Sequence, residues 1–552
     1  MFSTVLPVWG VALLLSVSCW SIGARLVTSR SPLVRLLGGW CVFLLLCALT
    51  WIAGLSAHAV RPAFWLFFLV GAGLALRDRR WPELAAAAVC TGVVVGLLGF
   101  PFLRFPGLLT YGAHGTDMWG YIITADWLQD HSFRQLPDIG VSPMRFNWTY
   151  HVLDVRDRPL NYQSLACLAA ATGLTPAKAY LAYPVTLLAS LAMALSREPG
   201  LFRLKPWGLA LLPALATAFH PLIVLPWIAG FFGGTIAALC TALAFAGAAV
   251  ADEEGSRGET LALAVLMMVF CGGLYTLKFL YVGLALGGAP LLLAAANWCR
   301  PRNWHRWRGA RPGPRMLGLL AAIALLTAAL LVLGRDQQPD IGPRQLPVAA
   351  SAHLLGIFGG QSPYGWLGYG PEEAGVRDPL HNPTGIVALG VLTALFTLVS
   401  WARWRADRDI RIPLLLGLAA GALAQTVGDE LIMAKTLAIF GTAGLIVLAA
   451  VSSELRHRWL GLVALGLCGL PALRSAAEMQ DLLYGPYITC TEENLAAAQD
   501  GQDWRVLGYL HFREDRDGFD WAQHPRTYFA VTQFLPLPLR ERLAEKYHLP
   551  KP

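Results

Sequence analysis

The run Leu33-Val34-Arg35-Leu36-Leu37-Gly38-Gly39-Trp40-Cys41-Val42-Phe43-Leu44-Leu45-Leu46-Cys47-Ala48-Leu49-Thr50-Trp51-Ile52-Ala53-Gly54-Leu55 carries one charged residue, Arg35, close to its start. A helix crossing the hydrocarbon of a bilayer needs about 20 largely apolar residues, so this stretch reads as a membrane span. Similar runs recur as far as about residue 470. The chain is 56% hydrophobic and 14% charged, with a mean hydropathy of +0.51. A water-soluble fold of that composition would lack polar side chains to cover its surface. Lipid is the solvent that fits.

Working outward, apolar runs predict spans near 4–23, 33–55, 60–76, 84–103, 175–195, 207–225, 226–250, 259–276, 279–296, 316–334, 384–401, 412–428, 431–450 and 459–473. The fold class expected is an all-α polytopic membrane protein of about fourteen transmembrane helices. The first run has no Lys or Arg before it and is read as a retained anchor, not a cleavable signal. Gly and Ala within the runs suit close helix packing, and Trp81, Trp207, Trp298, Trp401 and Trp459 sit near span ends as interfacial anchors. The ten cysteines lack regular spacing and a CxxC pair, so neither a disulfide framework nor a metal knuckle is indicated.

The formal charge of +8 resides largely in arginine clusters between apolar runs. They act as topology signals, with no nucleic acid partner implied. Arg25, Arg30 and Arg35 follow the first span, Arg77, Arg79 and Arg80 the third, and Arg197, Arg203 and Lys205 the fifth. Later clusters lie at Arg300 to Arg315, Arg403 to Arg411, and Arg456 and Arg458. The loop after the seventh span breaks the pattern with Asp252, Glu253 and Glu254, but acidic residues weigh little in the rule. Basic connections on the cytosolic side put both termini outside. The expected organisation is N-terminal helices (1–103), a large outer loop with amphipathic helices (104–174), a transmembrane bundle (175–334), a second outer loop (335–383), C-terminal helices (384–473) and a small soluble tail (474–552).

The first outer loop is the most informative for function. It contains His114-Gly115-Thr116-Asp117-Met118-Trp119-Gly120-Tyr121, with Asp117, Tyr121, Thr124 and Leu128 at i, i+4, i+7 and i+11. That spacing predicts a helix with these residues on one face, lying along the membrane surface. Asp117 then either heads a site or, with Thr116, caps the helix. Beyond it come Arg156-Asp157-Arg158-Pro159-Leu160-Asn161-Tyr162-Gln163, a short apolar helix, and Gly173-Leu174-Thr175.

An acid after early spans, the Asp-to-Leu128 helix, the Pro-Leu-Asn-Tyr entry and the Gly-Leu-Thr restart together resemble the GT-C superfamily of membrane glycosyltransferases. The likeness covers about residues 110–195, and the many-span layout extends it loosely to about 475. That superfamily usually places its acid after one span, whereas four precede Asp117 here; both arrangements reach the same compartment. The resemblance implies a transferase at the periplasmic face of a bacterial inner membrane. Its donor would be a polyprenyl-phosphate-linked sugar, and its acceptor a lipid, glycan or protein. Asp117 would be the general base.

A carboxylate suits proton removal from an acceptor hydroxyl, while a departing lipid phosphate calls for positive charge. Candidate cations on the outer side are Arg145, Arg156, Arg158, Lys278, Arg344, Arg377 and Lys435, with Tyr121 beside the acid. Lys278 also reads as a snorkelling interfacial lysine. Asp429, Glu430 and Lys435 interrupt an apolar hairpin, which is costly unless used or solvated. His220 reads as a packed residue or a binding one. The glycine- and aromatic-rich loop from Gly356 to Asn382 suits an acceptor or a structural cap. No cofactor is required, although Asp117 with Asp126, Asp154 or Asp157 suits a divalent cation.

A polysaccharide polymerase or ligase would share the span count and the leaving group. A lipid-linked sugar flippase is the rival of another class, but neither an internal repeat nor paired broken helices stand out. The orientation is testable: alkaline phosphatase fused after residue 130 should be active and green fluorescent protein fused there dark. A fluorescent fusion would place the acid-bearing segment in the cytosol and end the superfamily reading.

Overall fold

A computed structural model describes residues 2–79, 81–104, 116–138, 147–156, 158–197, 232–249, 257–277, 279–284 and 314–334. Those residues are helices and their connections, with no strand among them. The helices are α1 (Phe2–Leu26), α2 (Pro32–Ala53), α3 (Arg61–Arg77), α4 (Trp81–Arg104), α5 (Thr116–Asp130), α6 (Asn147–Val155), α7 (Pro159–Thr172), α8 (Pro176–Arg197), α9 (Phe232–Ala249), α10 (Arg257–Leu274) and α11 (Pro314–Leu333). Eight coincide within a few residues with the spans expected at 4–23, 33–55, 60–76, 84–103, 175–195, 226–250, 259–276 and 316–334. The other expected spans lie wholly or mostly outside the described residues, as do the regions 335–383, 384–473 and 474–552.

Among the described residues, four helices are long and apolar enough to cross a membrane: Val5–Leu26, Pro32–Ala53, Pro176–Arg197 and Pro314–Leu333. Leu84–Leu98, Phe232–Ala248 and Gly258–Leu274 are shorter apolar helices. Their ends follow local chemistry. Ser31 Oγ accepts from Val34 N at 3.3 Å with Pro32 in the first turn, so a missing proline donor falls where no partner was available. Thr175 Oγ1 accepts from Lys178 N at 3.4 Å and starts α8 similarly. Gly54 and Gly173 end α2 and α7 at φ 66° and 71°, a left-handed backbone that a side chain disfavours.

Helix α8 is the hub. It packs on α1, α2, α4, α5, α7 and α9, and nearly all of its residues are buried. Lipid gives apolar helices little reason to associate, so seams depend on close approach and interhelical hydrogen bonds. Gly39 of α2 faces the Cys19 backbone of α1, and Gly71 of α3 lies against Ser18. Ser190 Oγ donates to Ser16 Oγ at 2.8 Å within the α1–α8 seam. Trp40 stacks on Tyr183 at 5.8 Å between ring centres, and Phe43 meets Tyr183 edge-on at 6.1 Å.

The helix ends sort into two sets. At one end Arg25 pairs with Asp78, Thr28 Oγ1 donates to Glu259 at 2.9 Å, and Arg197 donates to the Pro82 carbonyl at 2.6 Å. At the opposite end Ala57 and His58 donate to the Leu128 and Gln129 carbonyls at 3.0 and 2.9 Å, and Arg134 reaches the Ile52 carbonyl at 2.7 Å. The first set includes arginines of the clusters expected on one side of the membrane.

Helices α5 and α7 lie side by side at the second end. The surface helix with one apolar face expected over Asp117 to Leu128 differs from the α5 found. Gly120 through Ala125 are all buried, enclosed by α6, α7, α8 and α9. Helix α7 is buried from Pro159 through Ala171, including Asn161, Gln163 and Ser164. Other helices surround these segments, so their polar residues cannot be sorted to a solvent face as the i, i+4 pattern assumes.

The α1–α3 seam supplies a paired test within one helix. A methyl at residue 71 would stand 2.6 Å from Ser18 Cβ, whereas nothing lies within 4 Å of one at residue 73. Gly71→Ala should lose about 1–3 kcal/mol to overpacking. Gly73→Ala should be neutral or gain up to about 1 kcal/mol in helix propensity. Thermal unfolding in detergent reads both; equal Tm values for the two variants would refute the seam.

Candidate functional site

The turn from α6 into α7 brings the Arg158 guanidinium inward. Arg156 and Arg158 both have left-handed backbones, at φ 57° and 44°. Such a conformation is costly for a residue with a side chain. Arg158 occupies the position before Pro159 at the α7 N-terminus, and its carbonyl accepts from Asn161 N at 3.0 Å. From there Arg158 Nη1 donates to Tyr121 Oη at 2.6 Å, and its guanidinium lies 5.3 Å from the Tyr275 ring centre. The α7 N-terminus adds the partial positive charge of a helix start.

Four elements converge on this pair. Tyr121 belongs to α5, Arg158, Asn161 and Tyr162 to the start of α7, Phe232 and Gly233 to α9, and Leu274 to the end of α10. Tyr121 stacks on Tyr162 at 5.2 Å and contacts Phe232 at 5.5 Å, while Phe232 stacks on Tyr180 at 4.5 Å. Gly233 permits the approach, because a methyl there would stand 2.6 Å from Asn161 Nδ2, 3.0 Å from Tyr121 Oη and 3.3 Å from the Leu274 carbonyl. The cluster is thus largely aromatic, with a guanidinium, a phenol, an amide and a carbonyl among the rings.

The chain matches no protein-family model and no curated protein sequence. The site therefore has to be read from its own residues. Of the residues picked out by sequence, Tyr121 and Arg158 meet directly. Asp117 lies in the first turn of α5, one helical turn of backbone before Tyr121, and its side chain is outside what is described. Arg156 is exposed, and its Nη1 donates to the Leu333 carbonyl at 3.4 Å, where a cation complements the C-terminus of α11. Lys278 lies outside the described residues, three positions past Tyr275. Arg145, His220, Asp429, Glu430, Lys435, Arg344, Arg377 and the loop from Gly356 to Asn382 also lie outside them.

No three metal-ligating side chains converge among the described residues. Gln129 Nε2 donates to Asp126 at 3.4 Å, and Asp154 is exposed. Asp157 and the Asp117 side chain, the other members of the expected cation set, lie outside what is described. Sequence reading missed Asn161, Gly233 and Tyr275 as site members. Asn161 was visible in Pro-Leu-Asn-Tyr, and Tyr275 beside Lys278, but only the packing of α7 between α5 and α10 joins them.

The strained turn yields a prediction about the backbone alone. Arg158→Gly and Arg158→Ala both delete the guanidinium, yet only glycine adopts φ 44° without a steric penalty. The glycine variant should be more stable by about 1–2 kcal/mol, seen as the higher Tm of the two in detergent. An alanine variant of equal or greater stability would show that this backbone is not retained.

Proposed function

We propose that the protein is an integral membrane glycosyltransferase that moves a sugar from a polyprenyl-phosphate donor to a lipid, glycan or protein acceptor, at the periplasmic face of a bacterial inner membrane. The observation that carries the reading is the Arg158–Tyr121 contact, set one turn from Asp117 at the helix end opposite Arg25 and Arg197. It joins a cation to the neighbourhood of an acid, the two charges that glycosyl transfer from a phosphate requires.

In the proposed step the acceptor hydroxyl oxygen attacks the anomeric carbon, and the bond from that carbon to the phosphate oxygen breaks. The electron pair leaves with the lipid phosphate. The hydroxyl proton passes to the Asp117 carboxylate as attack proceeds, the stage at which a general base is most effective. Arg158 is placed to balance the charge that grows on the leaving phosphate, and the Tyr121 phenol holds the guanidinium in position. Aromatic rings around the pair keep water from competing with the acceptor and strengthen the electrostatics. Lys278, close in sequence to Tyr275, is the second candidate cation.

Support comes from residue types and placement together. A transporter needs polar groups along a path through the bilayer, whereas these gather at one end of the helices. In nanodiscs, the purified protein would be offered polyprenyl phosphates bearing mannose, glucose, galactose or arabinose, with a cell-envelope extract as acceptor. Release of free polyprenyl phosphate is expected with at least one donor. Asp117→Asn should slow it by about 10²-fold or more, the usual contribution of a general base, and Arg158→Ala should slow it comparably. Full turnover by Asp117→Asn would remove that acid from the mechanism, and no release with any donor would overturn the reading.

A further inference from the structure

Beside Arg158 sits a group that the proposed step does not use. The Asn161 side chain is fully buried, and neither its Oδ1 nor its Nδ2 has a hydrogen-bond partner among the described residues. Buried polar groups are nearly always paired, because an unmade hydrogen bond costs the full desolvation of the group. A side-chain amide with both ends unpaired therefore marks a place completed by something outside the described residues. Asn161 follows Arg158 by three residues, so the two start from neighbouring positions at the head of α7. Its Nδ2 lies, with Tyr121 Oη and the Leu274 carbonyl oxygen, within 3.3 Å of where a methyl on Gly233 would stand.

The chemistry of an unpaired amide is specific. A primary amide presents a donor and an acceptor side by side, so its ligand must both donate and accept. A hydroxyl, or two adjacent hydroxyls, does so. A bare phosphate or carboxylate would satisfy Nδ2 and leave Oδ1 facing another acceptor. The guanidinium one turn away matches the anion that the amide cannot hold. Tyr121, Tyr162 and Phe232 pack against one another around the amide and keep its surroundings apolar. The composite partner is a phosphorylated polyol whose phosphate lies at Arg158 and whose hydroxyls lie at Asn161.

Resting on the glycosyltransferase reading above, we infer that Asn161 reads the hydroxyls of the donor sugar and so sets sugar specificity, while Arg158 holds the donor phosphate. Gly233 is the complementary position, since any side chain there would push into the amide.

The test uses the full-length protein in detergent and two probes: a short-chain polyprenyl phosphate without sugar, and the same lipid carrying each of the four sugars named above. The wild type should gain more Tm from one sugar-bearing lipid than from the bare lipid. Asn161→Leu, close in size and apolar, should be at least as stable as the wild type without ligand. Both lipids should then stabilise it equally, and its KM for the preferred donor should rise tenfold or more. Asn161→Ser is the second variant, should leucine not be tolerated. A lower ligand-free Tm in both variants would show that the amide serves packing or a structural water, and would overturn the assignment. Retention of the sugar-dependent increment in either variant would overturn it too. If the wild type gains equally from bare and sugar-bearing lipid, the Asn161 role alone fails. If neither lipid stabilises the wild type, the glycosyltransferase reading fails and takes this inference with it.

Discussion

Because lipid offers a peptide group nothing to bond with, each segment crossing it must close its own backbone hydrogen bonds as a helix. The same solvent removes the hydrophobic drive that joins helices in water. What remains is contact distance and polar pairing, which explains why the described helices meet at Gly39 against Cys19, at Gly71 against Ser18, and through Ser190 donating to Ser16. Alanines at 177, 179, 182, 189, 192 and 194 let neighbours approach α8 from every side. Enclosure of α8 follows from small residues more than from large ones.

That enclosure creates the setting for chemistry. Helices α5 and α7 are too short to serve as spans, yet they are buried by the helices whose ends they cross. Polar residues carried on them are thereby taken out of water and held among aromatic rings. In such surroundings a guanidinium acts over a longer range and an unpaired amide is more costly than at a surface. Pro159 and the left-handed Arg158 fix where α7 begins, and that start directs Arg158 to Tyr121. A register shift of one residue in α7 would carry both Arg158 and Asn161 off the face shared with α5.

Much of this fold was legible in the chain because the bilayer sets a length that sequence must meet. The stretch from Leu33 to Leu55 gives α2 within two residues at either end, with Ser31, Pro32 and Gly54 as its punctuation. Helix ends also sorted much as the arginine clusters implied, although Glu259 needed Thr28, 231 residues away, to explain an acid in that company. The fate of residues 104–174 was less legible. An i, i+4 pattern assumes that one face meets solvent, and Ile122, Ile123 and Ala125 are buried beside Tyr121 and Thr124 because neighbours cover every side. Tyr121 and Arg158 were identifiable as candidates by residue type. Their meeting, and the addition of Gly233 and Leu274 from distant helices, depends on tertiary packing that no local pattern encodes.

The remaining asymmetry concerns what a folded chain tolerates. Interhelical pairs such as Ser16 with Ser190 satisfy each other and hold the bundle together. At the head of α7 the balance reverses, since two arginines adopt disfavoured backbones and a buried amide lacks partners. Selection for stability alone would favour an apolar residue over an unpaired amide at 161 and glycine over a left-handed arginine at 158. Left-handed backbone also occurs at Arg79, and buried polar atoms without partners among the described residues also occur at Ser18, Trp40 and Thr91; what distinguishes the head of α7 is that a strained arginine and an amide unpaired at both ends fall three residues apart. The same reasoning separates Arg156, whose guanidinium finds the Leu333 carbonyl at the end of α11, from Arg158, whose guanidinium is turned inward. Of two neighbouring arginines with similar backbones, one is accounted for by architecture, and it is the other to which the proposed chemistry is assigned.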